Sequence, residues 1–126
     1  GLLWHGNFTS QGGYEAMHAV LRAPEPPTAV FVCNDLMAMG ALCAAHERDL
    51  HVPEALSIVG FDDIELTAFT SPPLTTVAQP KQRIGALAAD MLLERIDGKR
   101  HDARKVVLQP ELRVRASTAH APGGAA

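Results

Sequence analysis

Cysteine is scarce in this sequence: Cys33 and Cys43 are the only two, ten residues apart. That spacing fits neither a CxxC metal pair nor a disulfide framework, and both read as reduced packing residues of a cytoplasmic protein. Charge is sparse as well. A formal net charge of -3, with no basic stripe interleaved with aromatics, excludes a chain built to grip phosphate backbones. No apolar run reaches the ~18 residues that a membrane span needs, and no cleavable signal sequence opens the chain.

Catalytic signatures are missing too. There is no GxSxG elbow, no GxGxxG and no Walker loop, so neither acyl transfer nor a phosphate cradle has support. His46 and His51 suggest a zinc helix at first sight, but five residues turn a helix by about 140° and the two cannot share a metal. No metal site, cofactor or enzymatic activity is expected.

What is present is organised around TAVFVCNDLMAMGAL, residues 28–42. The short apolar run Ala29 to Cys33 reads as a buried strand, Asn34-Asp35 as a polar corner and Leu36 to about Arg48 as a helix. A second strand, Leu56 to Phe61, runs into Asp62-Asp63 in the same way. Strands apolar along their whole length suit a parallel sheet covered on both faces, with ligands beyond the carboxyl ends. Asn34 and Asp62 therefore mark the expected site, whereas Asp35 and Asp63 read as helix N-caps.

Around this centre, Leu2 to Gly6 reads as a strand entered without a preceding turn, as if the sequence begins mid-fold. A glycine-rich corner follows, then a helix from Tyr14 to Arg22 with Ser10 as its cap. Ile64 to Phe69 is a short helix and Leu74 to Val77 a β-branched strand. Ile84, Leu87, Ala88, Met91, Leu92, Arg95 and Ile96 follow the i, i+3, i+4 rule to a Gly98 stop. Period-two alternation predicts strands at 105–109 and 111–115, split by Pro110, and a loose tail from Ala116. The Leu36 helix is apolar nearly all round, so one face is assigned to the sheet and another to a partner subunit, the alternative being a helix buried wholly within its own subunit. Met37, Met39 and Leu42, with Phe69 and Thr70, are the candidate dimer residues.

VFVCNDLMAMGAL, LSIVGFDD and SPPLTTVAQP, with GNFTSQGGYEAM before them and VVLQPELRVRAST after, occur in the order and spacing of one family. The chain resembles the effector-binding core of LacI/GalR-type bacterial transcriptional regulators, whose fold is similar to a periplasmic sugar-binding protein. The resemblance implies an α/β fold: a flavodoxin-like parallel sheet with flanking helices, truncated at its N-terminus. It places residues 1–78 in an incomplete second subdomain and 79–110 in a crossover helix and strand of the first. Residues 111–118 form the return strand and 119–126 a tail. It also implies that the second subdomain's own first strand and helix are absent, leaving the edge of the Ala29 strand to be re-paired. Shifted internal strands, exchange with another copy or sequence outside these residues would do this.

By the same resemblance, Phe8 stacks on a sugar ring or purine, Asn34 makes a polar contact, Asp62 accepts from ligand hydroxyls and Gln79 lies on the cleft wall. The implied partners are a small-molecule effector, a sugar before a purine, a second copy of the chain, and operator DNA through a headpiece absent here. The alternative is a periplasmic solute-binding protein feeding a transporter.

Overall fold

The computed structural model describes residues 3–121. The chain divides into two compact units, one running up to Ala78 and resuming at Leu112, the other comprising Gln79–Glu111.

In the larger unit, helix α1 (Ser10–Val20) begins a turn earlier than the sequence pattern suggests. Thr9, not Ser10, is its cap, with Oγ1 accepting from the Gly12 amide at 3.0 Å. Gly12 and Gly13 are helical and buried rather than part of a loop, because α1 runs against helix α2 (Asp35–His46). A Cβ on Gly13 would overlap the Met37 backbone, and one on Gly40 the Ser10 carbonyl. The two helices meet backbone to backbone, which only glycine permits.

Strand β1 (Ala29–Phe31) pairs in parallel with β2 (Ser57–Asp62), which pairs in parallel with β3 (Thr75–Ala78). With β4 (Glu111–Arg113) the sheet order is β1-β2-β3-β4. A 3-10 turn, η1 (Glu65–Ala68), links β2 towards β3. The core joins Met17 and Val20 of α1, Ala38, Ala41, Leu42, Ala44 and Ala45 of α2, Ile58 of β2, and Leu56 and Leu74 immediately ahead of β2 and β3. Only this face of the sheet is fully covered. Phe31 on the other face is 58% exposed, and Val59 and Phe61 are half-buried, so cover on both faces is not met by these residues.

Several sequence expectations change. Residues 3–6 form no strand, and Leu2 lies outside the described residues. No described strand pairs with the outer edge of β1, so internal strands have not shifted to cover it. An apolar cavity of about 120 Å³ lies there instead, lined by Leu3, Trp4, Val30 and Val32 among others. At three residues β1 is short, which blunts an exposed edge.

The tail begins later than expected, because Ser117 is fully buried. Its hydroxyl donates to the Ile58 carbonyl at 2.6 Å and accepts from the Thr75 amide at 2.8 Å. The Ile58 amide donates to the Ser117 carbonyl. Ser117 thus fills the place just ahead of the registered Val59–Thr75 pair, where β2 and β3 are not yet bonded to each other.

In the smaller unit, α3 (Lys81–Ile96) forms as its periodicity demands and stops at Gly98, whose φ is 68°. None of its residues is buried. The strand expected at 105–109 does not form; an alternating pattern needs a neighbouring strand to complete its hydrogen bonds, and this segment has no ladder partner among the described residues.

Candidate functional site

Parallel register sets the site. Phe31 of β1 lies opposite Val59 of β2, and three residues further along each chain come Asn34 and Asp62. Both candidates therefore stand at the carboxyl ends of adjacent parallel strands, where such sheets present their ligand crevices.

Asn34 is the N-cap of α2. Its Oδ1 accepts from the Met37 amide at 2.8 Å, which satisfies one of the helix's unpaired donors. Its Nδ2 donates to the Phe8 carbonyl at 3.1 Å and so ties the Phe8 loop to the end of β1. Capping α2 and tethering the Phe8 loop are here one side chain's work, and the amide carries a second Nδ2 hydrogen.

Phe8 is 68% exposed, so its ring is not part of the core. Its φ of 62° lies in the left-handed region that residues with a Cβ rarely adopt. The adjoining Asn7 side chain accepts from the Thr9 amide and hydroxyl, and Thr9 caps α1. The ring is displayed by a loop whose backbone is fixed on both sides.

Asp62 and Asp63 repeat this signature, with φ of 114° and 50°. Each such conformation costs on the order of 1–3 kcal/mol and persists only where the surroundings over-determine it. Those surroundings are explicit. Asp63 Oδ1 accepts from Arg115 Nη2 at 2.6 Å, the Asp63 amide meets Thr76 Oγ1 at 3.4 Å, and the Ile64 amide donates to Asp35 Oδ2 at 2.9 Å. Asp63 is thus an ion-pair partner, not a cap; Ile64 precedes η1 without a side-chain cap bond.

Asp35 is also not the cap that the sequence suggests, since Asn34 fills that role and leaves Asp35 pointing inward. It is fully buried, and its Oδ1 accepts from Thr76 Oγ1 at 2.6 Å. Gly60 is glycine because a Cβ there would overlap this carboxylate oxygen. Sequence reasoning missed Arg115 altogether: Nη1 donates to the Leu74 carbonyl at 2.8 Å and to Thr67 Oγ1 at 3.1 Å, besides the Asp63 bond. Its place at the end of the 111–115 alternation gives no sign of these partners, which lie 41 to 52 residues back.

Gln79 follows the last residue of β3 and belongs to the smaller unit. Among the dimer candidates, Phe69 is 79% exposed, Met37 and Met39 are half-buried, and Thr70 donates to the Thr67 and Pro72 carbonyls. Leu42, at 7%, packs into the unit's own core and offers little to a partner. No cluster of three or more His, Cys, Asp or Glu suited to a metal occurs among the described residues. None of their helices is long and apolar enough to cross a membrane.

Residues 2–118 match the model of the periplasmic binding protein-like domain family. The chain belongs to that family. As a periplasmic-binding-protein-like domain it is 48% identical to the HTH-type transcriptional repressor PurR of Edwardsiella ictaluri, over 95% of this chain and 35% of that repressor. The chain thus spans about a third of the curated relatives it matches. A LacI family transcriptional regulator from Enterococcus faecium, solved with bound ribose, superposes with a TM-score of 0.81 at 34% identity, covering 90% of this chain and 42% of that one. The dimeric Lac repressor with an 11-residue C-terminal deletion gives 0.85 at 34% identity, covering 94% and 43%. The relatives are repressors of the PurR/LacI type, and the fold is that of LacI effector-binding domains.

Proposed function

We propose that this chain is the effector-binding and dimerisation part of a LacI/GalR-type transcriptional repressor that senses a small molecule, a sugar rather than a purine. The observation that supports it best is the Phe8 loop: an exposed ring in a left-handed backbone, bonded through its carbonyl to Asn34, at the strand ends where Asp62 also stands. A ring offers an apolar face for stacking, and an ionised carboxylate accepts several hydroxyls, each charge-assisted bond contributing about 1.5–3 kcal/mol. The ribose-bound relative favours the sugar class.

The larger unit is assigned to the second subdomain and Gln79–Glu111 to the first, with crossings at the two unit boundaries. The proposed dimer face shifts from Leu42 to Leu36, Met39, Leu66 and Phe69. Asp35 bonds the Ile64 amide, which sets the start of α2 beside the start of η1, and Leu36 and Leu66 are 43% and 55% exposed. Operator binding belongs to other parts of the intact protein, and effector binding alters operator affinity by favouring one arrangement of the subdomains. The kinship with repressors supports this over a transporter's solute-binding protein.

A thermal-shift screen of the intact regulator against D-ribose, cellobiose and adenine, with Asp62→Ala alongside, tests the reading. At a hundred times its dissociation constant a ligand adds about 2.7 kcal/mol, or roughly 5–11 °C in a domain of that size. A sugar shift that disappears in Asp62→Ala is expected. A shift with adenine alone would overturn the sugar class, and a shift indifferent to Asp62 would overturn the site.

A further inference from the structure

Asp62 and Asp63 are two successive non-glycine residues with positive φ at the end of β2. Such a turn does not hold itself. The side chain that closes on it comes from far along the chain: Arg115 lies 52 residues from Asp63 and only three past the point where the chain re-enters the larger unit.

The Arg115 guanidinium bridges three segments at once. Nη2 takes Asp63, while Nη1 takes Thr67 of η1 and the Leu74 carbonyl just ahead of β3. Its own amide donates to Thr75 Oγ1 at 2.9 Å, so the backbone that bears the fork is fixed as well. Both partners of the ion pair are 24% exposed, so the pair is shielded from solvent more than an ordinary surface pair. A planar fork suits this bridge; a lysine ammonium could reach Asp63 but could not hold three acceptors in fixed directions.

We infer that Arg115 is a positioning residue for effector recognition: by clamping Asp63 it fixes the direction of the neighbouring Asp62, and it ties that direction to the segment returning from the smaller unit. This rests on the reading of Asp62 as the acceptor of ligand hydroxyls. Loss of the clamp leaves the fold standing on its core and on Ser117, but lets the Asp62–Asp63 turn sample ordinary extended conformations in which the acid points elsewhere. Because coupling of this kind is reciprocal, a movement of the return segment that carries Arg115 away from Asp63 also changes effector affinity.

The test uses the intact regulator as wild type, Arg115→Ala, Arg115→Lys, Asp62→Ala and Ser117→Ala. The last removes a buried bond from the same return segment without touching Asp63. Calorimetric titration with D-ribose, cellobiose and adenine is run at a temperature where every variant is folded, and hydrogen exchange at the Asp63 and Ile64 amides is read without ligand. The expected result is a dissociation constant raised about tenfold or more in Arg115→Ala and severalfold in Arg115→Lys, with Ser117→Ala within about twofold of wild type. Exchange at both amides should quicken about tenfold more in Arg115→Ala than in Ser117→Ala.

Unchanged affinity in Arg115→Ala, or an equal loss in Ser117→Ala, would overturn the inference and leave Arg115 a structural residue. Unchanged exchange would overturn it regardless of ligand. If Asp62→Ala binds as wild type does, the effector reading itself falls and takes Arg115's role towards a ligand with it, while quickened exchange would still show that Arg115 holds the turn.

Discussion

Glycine serves opposite ends in the two units. In the larger one, Gly13 and Gly40 lie where α1 and α2 touch backbone to backbone, and Gly60 makes room for the Asp35 carboxylate. In α3 of the smaller unit, a Cβ on Gly85 would meet nothing within 4 Å. The contrast extends to apolar residues. Leu56, Ile58 and Leu74 are fully buried, whereas Leu92, Leu93 and Ile96 of α3 are each more than half exposed. Yet α3 carries an i, i+3, i+4 apolar stripe from Ile84 to Ile96, interrupted in type only by Arg95. Periodicity shows which face a helix intends to bury; it does not show which residues supply the cover.

The sharpest way to break this comparison is at Asp35. Asp35→Ala removes the acceptor of a buried Thr76 hydroxyl and of the Ile64 amide, each orphaned donor costing about 1–3 kcal/mol. Denaturant titration should show the larger unit losing about 2–6 kcal/mol from the two together or failing to fold, with m unchanged if two-state behaviour survives. Next come Gly13→Ala and Gly40→Ala, which push helix backbones apart and should cost about 1–3 kcal/mol each by the same assay. The same substitution at Gly85 should act the other way, stabilising α3 by roughly 0.5–1 kcal/mol through helix propensity alone. Higher far-UV ellipticity and slower amide exchange in α3 would show it; destabilisation by Gly85→Ala would mean that the open space around it is filled in solution.

The smallest effect expected is at Tyr14, the sole tyrosine. Its hydroxyl donates to Glu47 Oε2 at 2.6 Å, and that bond, with the nearby negative charge, raises its pKa above the usual 10.0. The fold thus prefers the protonated phenol, so the contribution is fully present below the unfolded value and is lost as pH rises through the folded one. Absorbance titration should place the tyrosinate midpoint above that of free tyrosine, and Glu47→Gln should bring it back. A midpoint unmoved by Glu47→Gln would contradict the hydrogen bond.

The elements built from local pattern were legible in the sequence. The β1 corner, α2, β2 and α3 lie within a few residues of where periodicity and capping put them, and the motif order that resembles LacI/GalR regulators agrees with the family. Local signals failed where the deciding contact is remote. Nothing near Asp35 announces that its partners are Ile64 and Thr76, 29 and 41 residues on. The cap rule accordingly went to the wrong residue of the Asn34-Asp35 pair for the inward role. Ser117 read as tail because its partners, Ile58 and Thr75, are 59 and 42 residues back. At the site, residue types pointed to Phe8, Asn34 and Asp62. Only the backbone shows that Phe8 is displayed and not packed, and that Asp62 sits in a turn held by Arg115 through Asp63.

The central claim is that the larger unit presents Phe8 and Asp62 to a small molecule. A crystal structure of the intact regulator with whichever compound shifts its melting temperature tests this most directly. The compound's ring should lie on the Phe8 face with hydroxyls within hydrogen-bonding distance of the Asp62 carboxylate. A compound bound elsewhere, with Phe8 left in solvent and Asp62 turned from it, would contradict the account.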